Sequence, residues 1–222
     1  MPPRDFLELD CAGLNRQHVF PLADLPAGLR QHLPDTGYRQ LILIGHAGRA
    51  LWVAVQRQRP PGPDPIDAHT VQTLQRWLGD TRHHLLYPGP APVGLQALGS
   101  LAGWHHPSPM MIGVDATWGS WHAYRAVVLA DTDFPATPQA APNAACPTCA
   151  ARRCVSACPA DALSGPHFDL SRCAGERLRP GSACAEGCLA RLACPVGSEH
   201  RYDAAQIRHS YRQSLAWLKA MK

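Results

Sequence analysis

Cysteine is the residue type in this chain whose spacing points most directly to chemistry. Eight of the nine cysteines fall between residues 146 and 194, and three of them, Cys146, Cys158 and Cys194, precede a proline. In chain order the eight are Cys146, Cys149, Cys154, Cys158, Cys173, Cys184, Cys188 and Cys194. Thiolates are soft ligands, and an iron–sulfur cluster binds four of them. The eight cysteines therefore suffice for two [4Fe–4S] clusters, and electron transfer is the first function that the sequence indicates.

The order of these cysteines predicts how they divide between two clusters. In two-cluster ferredoxins the last cysteine of a run, which stands before proline, binds the other cluster. Cys158 and Cys194 are the cysteines that end a run and stand before a proline here. The rule predicts a first site of Cys146, Cys149, Cys154 and Cys194, and a second site of Cys158, Cys173, Cys184 and Cys188.

The spacing within the first run departs from the usual one, because four residues instead of two separate Cys149 from Cys154. Zinc is the main alternative, since four-cysteine zinc sites also use two-residue spacings, and disulfides are a further one. The Cys-Pro endings and the crowding of four cysteines into thirteen residues favour iron–sulfur. Six arginines stand among the ligands and would either raise a cluster's potential, dock an acidic partner or form a solvated surface. They are Arg152, Arg153, Arg172, Arg177, Arg179 and Arg191.

Composition and charge limit the function classes further. The formal net charge is +4 and arginine is spread along the chain, so charge alone does not indicate nucleic-acid binding. The first ten residues carry charges where a signal peptide would be apolar, and no run approaches the roughly 20 apolar residues of a membrane span. We therefore expect a cytoplasmic protein without a membrane partner, whose cysteines are metal ligands rather than disulfides.

The elements that must position these cysteines divide the chain near residue 140. We expect residues 1–140 to form an α/β (α+β) domain that binds a cofactor or a partner, and residues 141–222 to form a ferredoxin-like iron–sulfur domain. Residues 135–145 are rich in proline and alanine and are typical of a linker. Four short apolar runs predict strands at residues 40–44, 84–87, 110–112 and 126–129, whereas residues 50–55 fit either a helix or a strand.

Two helices have clear sequence signals. Asp64, Pro65 and Asp67 form a helix start that leads to a stop at Gly79, with Val71, Leu74 and Leu78 on one face. At the other end of the chain, Asp203 is a capping residue for a closing helix. Four residues at spacings of four, four and three form its apolar stripe. They are Ile207, Tyr211, Leu215 and Leu218.

Four segments together resemble the epoxyqueuosine reductase family, whose members bind cobalamin and two [4Fe–4S] clusters, and the cobalamin-processing proteins of the methylmalonic aciduria type C family. The segments are Leu101–Trp104, Trp118–His122, Cys146–Pro159 and Asp169–Cys173. Two further stretches, Gly119–Arg125 and Gly187–Pro195, resemble a group of uncharacterised bacterial ferredoxin-like proteins more closely. The resemblance covers somewhat over half of the chain and assigns the lone Cys173 to the second cluster.

The resemblance implies a corrinoid bound by the N-terminal domain, with flavin as a less favoured cofactor. Seven residues of the family-like turns are its candidate contacts, although tryptophan and histidine at such positions also serve as ordinary core residues. They are Gly103, Trp104, His105, His106, Trp118, Trp121 and His122. A histidine of this set would ligate cobalt or carry a proton.

Several departures from the family pattern limit the expected activity. The segment Tyr87–Gln96 holds no carboxylate where the reductase has a candidate general acid, which leaves Tyr87 and His122 as weak catalytic candidates. A phenol with a pKa near 10 is a slow acid unless it is tuned. The lysine after the family's turn is replaced by His105-His106, and the family's tRNA-binding repeats do not follow residue 222. A nucleic-acid substrate is therefore not expected.

Three functions follow from these patterns. The first is a cobalamin-dependent reductase or cobalamin-processing protein, in which two clusters pass electrons to a bound corrinoid. The second is a ferredoxin-type electron carrier that binds no organic cofactor. The third is a structural metal-binding protein that interacts with another protein. For the redox functions we expect a partner of the flavodoxin or ferredoxin reductase type.

Overall fold

The computed structural model describes residues 5–34, 37–139 and 143–220 of the chain. Contacts between residues divide the chain into two compact units. Unit 1 comprises Met1–Trp104 and His122–Pro142, and unit 2 comprises His105–Trp121 and Asn143–Lys222. The predicted functional division at residue 140 stays a prediction, but residues 105–121 pack with the cysteine-rich part of the chain.

Unit 1 is built on a four-stranded antiparallel sheet in which the order is β1-β2-β4-β3. The strands are β1 (Arg16–Pro21), β2 (Gln40–Ala47), β3 (His83–Tyr87) and β4 (His122–Ala130). The apolar run at residues 40–44 forms the centre of β2, which is buried along its whole length. The predicted strands at 84–87 and 126–129 are also confirmed. Because every strand pair is antiparallel, the fold class is α+β rather than a parallel α/β sheet.

Five helices of unit 1 lie among the described residues. They are α1 (Leu7–Cys11), α2 (Ala27–Arg30), α3 (Ala50–Gln58), α4 (Pro65–Leu78) and α5 (Leu95–Leu101). The predicted start of α4 is confirmed, because the Asp64 carboxylate accepts a hydrogen bond of 3.2 Å from the Asp67 backbone N–H. Leu74 and Leu78 are buried on its inner face. Residues 50–55, which fitted either element, are helical.

Both faces of the sheet are covered, as the alternation of its side chains shows. Ile42, Ile44 and Val128 face a core that includes Leu51 of α3 and Leu74 of α4. On the opposite face, the neighbouring residues Leu41, Leu43 and Val127 pack with Leu98 of α5 and with Trp104. The sheet therefore has no solvated face at its centre, and both of its central strands are apolar at every position of this region.

Two sequence predictions for the connecting segments need correction. The predicted strand at residues 110–112 is a turn, and Met111 has a φ of 55° and is 63% exposed. Prolines 107 and 109 just before it deprive this segment of backbone donors, so apolar character alone does not make it a strand. The predicted linker at 135–145 is in part attached to the sheet, because Thr137 exchanges two hydrogen bonds with Val19 of β1. Residues 140–142 of the linker lie outside the described residues.

Unit 2 consists of short helices joined by turns. Its helices are α6 (Arg153–Ser156), α7 (Leu170–Leu178), α8 (Leu189–Ala193) and α9 (Ala204–Ala220). The closing helix is confirmed as α9, and the Asp203 carboxylate caps it by accepting a hydrogen bond of 2.7 Å from the Gln206 N–H. Small apolar clusters replace a large core, and four of the eight clustered cysteines, Cys154, Cys158, Cys188 and Cys194, belong to one of these clusters.

Among the described residues, none of the helices combines the length and the apolar character that crossing a membrane requires.

Candidate metal centres

The first predicted set of cysteines lines one cavity of unit 2, which has a volume of about 900 Å³ and contains Cys146, Cys149, Cys154 and Cys194 in its wall. Cys146 and Cys149 lie in the loop before α6, Cys154 lies within α6, and Cys194 directly follows α8. Proline at 195 disfavours a helical conformation at the residue before it, and the Cys194 backbone is extended. The Cys-Pro ending therefore stops α8 at the cavity wall.

The second predicted set lines a separate and smaller cavity of about 170 Å³, whose wall contains Cys158, Cys173, Cys184 and Cys188. Cys173 is on α7, and the other three cysteines lie in turns or at the start of α8. The Cys188 thiol accepts a hydrogen bond of 3.4 Å from the Arg191 backbone N–H, so this residue also caps α8. The remaining wall is mostly apolar, with Arg177, Arg191 and Tyr211 among its polar members.

The electrostatics of the thiols follow the same grouping. Burial raises the pKa of Cys146, and the other three thiols of the first site raise it further. Burial also raises the pKa of Cys173, and the other three cysteines of the second site add to this, while Arg177 opposes it. All eight cysteines are free thiols. Crowded, partly buried thiols form a donor set that a bound cation would deprotonate, so their chemistry fits an iron–sulfur cluster.

Cys158 and Cys194, the two cysteines that end a run, line the cavities in which the crossing rule expects them. Cys158 ends the first run but lines the cavity of the later cysteines, and Cys194 ends the chain's cysteine series but lines the cavity of the first run. The ligand roles themselves stay predictions. In the part of the chain that the structure describes, no group of three or more His, Cys, Asp or Glu side chains is arranged to hold a metal ion.

Helices α7 and α9 are fixed to each other at the second cavity. The Asp169 carboxylate caps α7 by accepting a hydrogen bond of 2.9 Å from the Arg172 N–H. Arg177 reaches from α7 to α9, where it donates to the Tyr211 carbonyl and to the Ser214 hydroxyl, both at 2.9 Å, and it also donates to the Cys184 carbonyl at 3.3 Å. The guanidinium is therefore held beside the cavity that contains Cys173.

The family-like turn at residues 118–120 contacts the segment that follows Cys194. The Asp115 carboxylate accepts hydrogen bonds from the backbone N–H groups of Thr117 and Trp118 at 2.8 and 2.9 Å. Gly119 has a φ of 58°, and a Cβ atom on it would lie 1.9 Å from the Val196 carbonyl oxygen. Only glycine allows this contact, which places the turn against the segment that follows Cys194.

The seven candidate corrinoid contacts are divided between the two units. Gly103, Trp104 and His122 belong to unit 1, whereas His105, His106, Trp118 and Trp121 belong to unit 2. Trp104, Trp121 and His122 are at most 9% exposed. The Trp104 ring lies 4.5 Å from the Arg16 guanidinium and is stacked with Tyr124 at 6.4 Å.

Trp121 is enclosed in the same way. The Arg191 guanidinium is 4.5 Å from the centre of its ring, and the Tyr202 ring is 5.4 Å away in an edge-to-face arrangement. The faces of Trp104 and Trp121 are therefore used in protein packing, and their role as corrinoid contacts stays a prediction. Among the candidates, Gly103, His105, His106 and Trp118 are half-buried and keep accessible surface.

Tyr87 gains no acidity from its surroundings. Burial raises the pKa of its hydroxyl, and Asp67 and Asp64 raise it further, while Arg125 lowers it. A higher pKa makes a phenol a poorer proton donor at neutral pH. The role of Tyr87 as a general acid has no support from this geometry.

Tyr211 belongs to the apolar stripe of α9 and also lines the second cavity. Burial raises the pKa of Tyr211 to about 12, and Cys188 raises it further, while Arg191 opposes this. The signal in the sequence for this position was the place of Tyr211 in the apolar stripe of the last helix. The stripe alone does not say which residue of the helix meets the cysteines, because that depends on how α9 packs on α7.

Comparison with known proteins shows similarity in fold. No family model matches the sequence, and no curated protein matches it. An epoxyqueuosine reductase solved with a tRNA-Tyr epoxyqueuosine-modified stem loop aligns with 92% of this chain and 67% of its own at 12% identity, with a TM-score of 0.54. A selenomethionine-labelled epoxyqueuosine reductase aligns with 91% of this chain and 68% of its own at 14% identity, with a TM-score of 0.51.

The B12-trafficking protein CblC of C. elegans is a further neighbour, with 13% identity over 89% of this chain and 85% of its own, and a TM-score of 0.49. The chain spans 64% of the length of the reductase from Streptococcus thermophilus, at 12% identity over 85% of this chain and a TM-score of 0.48. The structural neighbours are thus epoxyqueuosine reductases and a B12-trafficking protein, as the sequence motifs predicted. At these identities the likeness concerns the fold.

Proposed function

We propose that this chain is an electron-transfer protein that holds two [4Fe–4S] clusters in unit 2. The observation that carries the proposal is the division of eight free thiols between two cavities, with Cys158 in the cavity of the later cysteines and Cys194 in the cavity of the first run. This crossed division is typical of two-cluster ferredoxins. When bound, the clusters would supply one-electron redox chemistry.

The chain's own residues would hold these groups and control their surroundings. The four cysteines of each site act as thiolate ligands, while Met110, Leu163 and Phe168 contribute apolar surface between or beside them. Apolar surroundings limit the access of water, which affects the potential of a bound cluster. Because the ligands must be reduced thiols, we place the protein in a reducing compartment and propose a cytoplasmic location.

Metal analysis of the anaerobically purified chain tests the proposal. We expect a brown protein with a broad absorbance at about 400 nm and about eight iron atoms and eight sulfides per chain, from the two-cluster ligand count. The Cys11→Ala variant should bind the same amount, because Cys11 is the cysteine outside both cavities. A colourless protein with stoichiometric zinc would support the structural-metal alternative and contradict electron transfer.

A corrinoid bound by unit 1 is the second candidate, and the fold shared with epoxyqueuosine reductase at a TM-score of 0.54 favours it. In this proposal the protein is a cobalamin-dependent reductase or processing protein. The test is a spectral titration with cob(II)alamin, with flavin mononucleotide as the competing cofactor. A saturable spectral change with cob(II)alamin alone would support a corrinoid. If neither cob(II)alamin nor flavin mononucleotide changed the spectrum, the result would favour an electron-transfer protein without an organic cofactor.

The proposed partners follow from the same reasoning. A redox protein of the flavodoxin or ferredoxin reductase type would supply electrons. One structural neighbour was solved with a tRNA stem loop, but we propose no nucleic-acid partner for this chain. Its formal charge of +4 is modest, and the arginines do not form a dense tract.

A further inference from the structure

The cavity of the first site opens through a surface of unit 2 that we call the rim. We define the rim by five of the exposed residues of the cavity wall, namely Met111, Pro147, Arg152, Arg153 and Pro195. Three of the four cysteines in this cavity are half-buried rather than buried. An electron must cross a short distance to reach a metal centre, so the rim is where a redox partner would come closest to the first site.

The charge of the rim has one sign. Arg152 and Arg153 are adjacent and exposed, and none of the described residues in the cavity wall is an aspartate or a glutamate. The second cavity differs, because its wall includes Glu176, which is paired with Arg179 at 2.7 Å. Two arginines without a carboxylate among them attract an anionic surface.

Met111 gives the rim an apolar contact in an unusual backbone conformation. Its φ is 55°, a region that costs a non-glycine residue energy, and its side chain is 63% exposed. Methionine is flexible and adapts to different surfaces, for which reason it is common where proteins bind one another transiently. The two prolines of the rim are rigid and cost little conformational entropy when they are covered.

We propose that the rim is the docking surface for a small acidic one-electron carrier protein. This inference rests on the proposed function, since the partner would deliver electrons to the first site. The combination of a small apolar centre and a pair of unopposed arginines fits a weak, fast complex. Such redox encounters bury less than about 1,200 Å². Their association is steered by charge and falls as salt rises.

Binding to immobilised flavodoxin, an acidic carrier, tests the proposal without electron transfer. We expect the affinity of the oxidised protein to fall as ionic strength rises, and to fall about tenfold at low salt in the variant R152E/R153E. The matched control is R57E/R208E, which changes the net charge equally at two exposed arginines outside both cavities. Its affinity should stay within about twofold of the wild type.

A measurement of electron-transfer rates distinguishes weaker docking from damage to the first site. The rate at which reduced flavodoxin reduces the protein should fall in R152E/R153E. The rate of reduction by the methyl viologen radical cation should not fall. Equal losses in the two double variants, or binding that ignores salt, would overturn the proposal. So would a dimer of the chain that R152E/R153E dissociates, because the rim would then bind a second copy. If the protein holds no iron, the proposed function fails, and the binding arm still reports on the rim.

Discussion

At the scale of single residues, Arg177 places a fixed positive charge beside the second candidate site. Arg177 lies one helical turn from Cys173 on α7 and is fixed by hydrogen bonds to Tyr211 and Ser214. A fixed positive charge stabilises the more negative, reduced state of a bound cluster. Arg177 should therefore help the second site to accept an electron.

The substitution Arg177→Gln tests whether this charge raises the potential of the second cluster. We expect it to shift the midpoint potential of the second cluster to a more negative value and to leave the first cluster unchanged, in an anaerobic redox titration followed by electron paramagnetic resonance. Arg177→Lys keeps the charge and should restore most of the potential. Arg208→Gln, at an exposed position of α9, is the control. Equal shifts of both clusters would indicate a general effect on the fold.

His18 is a second residue whose environment makes a measurable prediction. It is 3% exposed, packs against Phe20 at 4.3 Å, and burial lowers its pKa to about 4. In the unfolded chain the imidazole binds a proton below pH 6.5, whereas the folded chain does not until about pH 4. The unfolded state therefore binds more protons in this window, and stability falls as the pH falls from 6.5 to 4.

Between pH 7 and pH 5, this group should remove about 2 kcal/mol of unfolding free energy. Urea unfolding at the two pH values measures the change in the wild type and in His18→Leu. Between pH 7 and pH 5, His18→Leu should lose less unfolding free energy than the wild type, by about that amount. Any loss of metal at low pH is common to both proteins and cancels in the comparison. An identical pH dependence in the two proteins would show that His18 is protonated in the folded state.

At the scale of elements, a pair of glycines fixes the family-like turn beside the first site. Gly119 and Gly197 both have positive φ, and a Cβ atom on Gly197 would lie 2.4 Å from the Gly119 backbone nitrogen. The two segments therefore touch backbone to backbone, close to Cys194 and Pro195. This contact joins residues 105–121 to the cysteine-rich segment although more than seventy positions separate the two glycines in the sequence.

The variant Gly119→Ala should destabilise unit 2 by more than about 2 kcal/mol, because its methyl group meets the Val196 carbonyl at 1.9 Å. Gly175→Ala is the matched control, since a Cβ atom there meets nothing within 4 Å and the position is inside α7. The control should be neutral or more stable by up to about 1 kcal/mol. Thermal unfolding measures both, and equal melting temperatures would refute the backbone contact.

Element prediction from sequence succeeded where local signals were strong. The cap at Asp64, proline at the first helical position and glycine at the end placed α4 correctly. The apolar run at residues 50–55 was ambiguous, because periodicity in a short run does not separate a buried helix from a strand. The segment at 110–112 looked like a strand, but its neighbouring prolines and its packing in unit 2 make it a turn. Such outcomes depend on tertiary contacts that the local sequence does not contain.

At the scale of the whole molecule, the order of the cysteines in the sequence agrees with their division between two cavity walls, and their pairing as ligands stays a prediction. The crossing rule needs only the order of the cysteines and the proline after a run. The candidate cofactor contacts were less predictable. Trp104, Trp121 and His122 share motifs with cofactor-binding proteins, but their burial follows from residues distant in sequence, such as Arg16 and Tyr202.

The crossed pairing is the central claim, and iron analysis of two double variants tests it most directly. Cys158→Ala with Cys173→Ala removes two ligands of the second site, so the protein should retain about four iron atoms per chain. Cys154→Ala with Cys158→Ala removes one ligand from each site and should leave far less iron than the first variant. If the second variant retained about four iron atoms and the first lost nearly all, the cysteines would pair in sequential order and the account would be wrong.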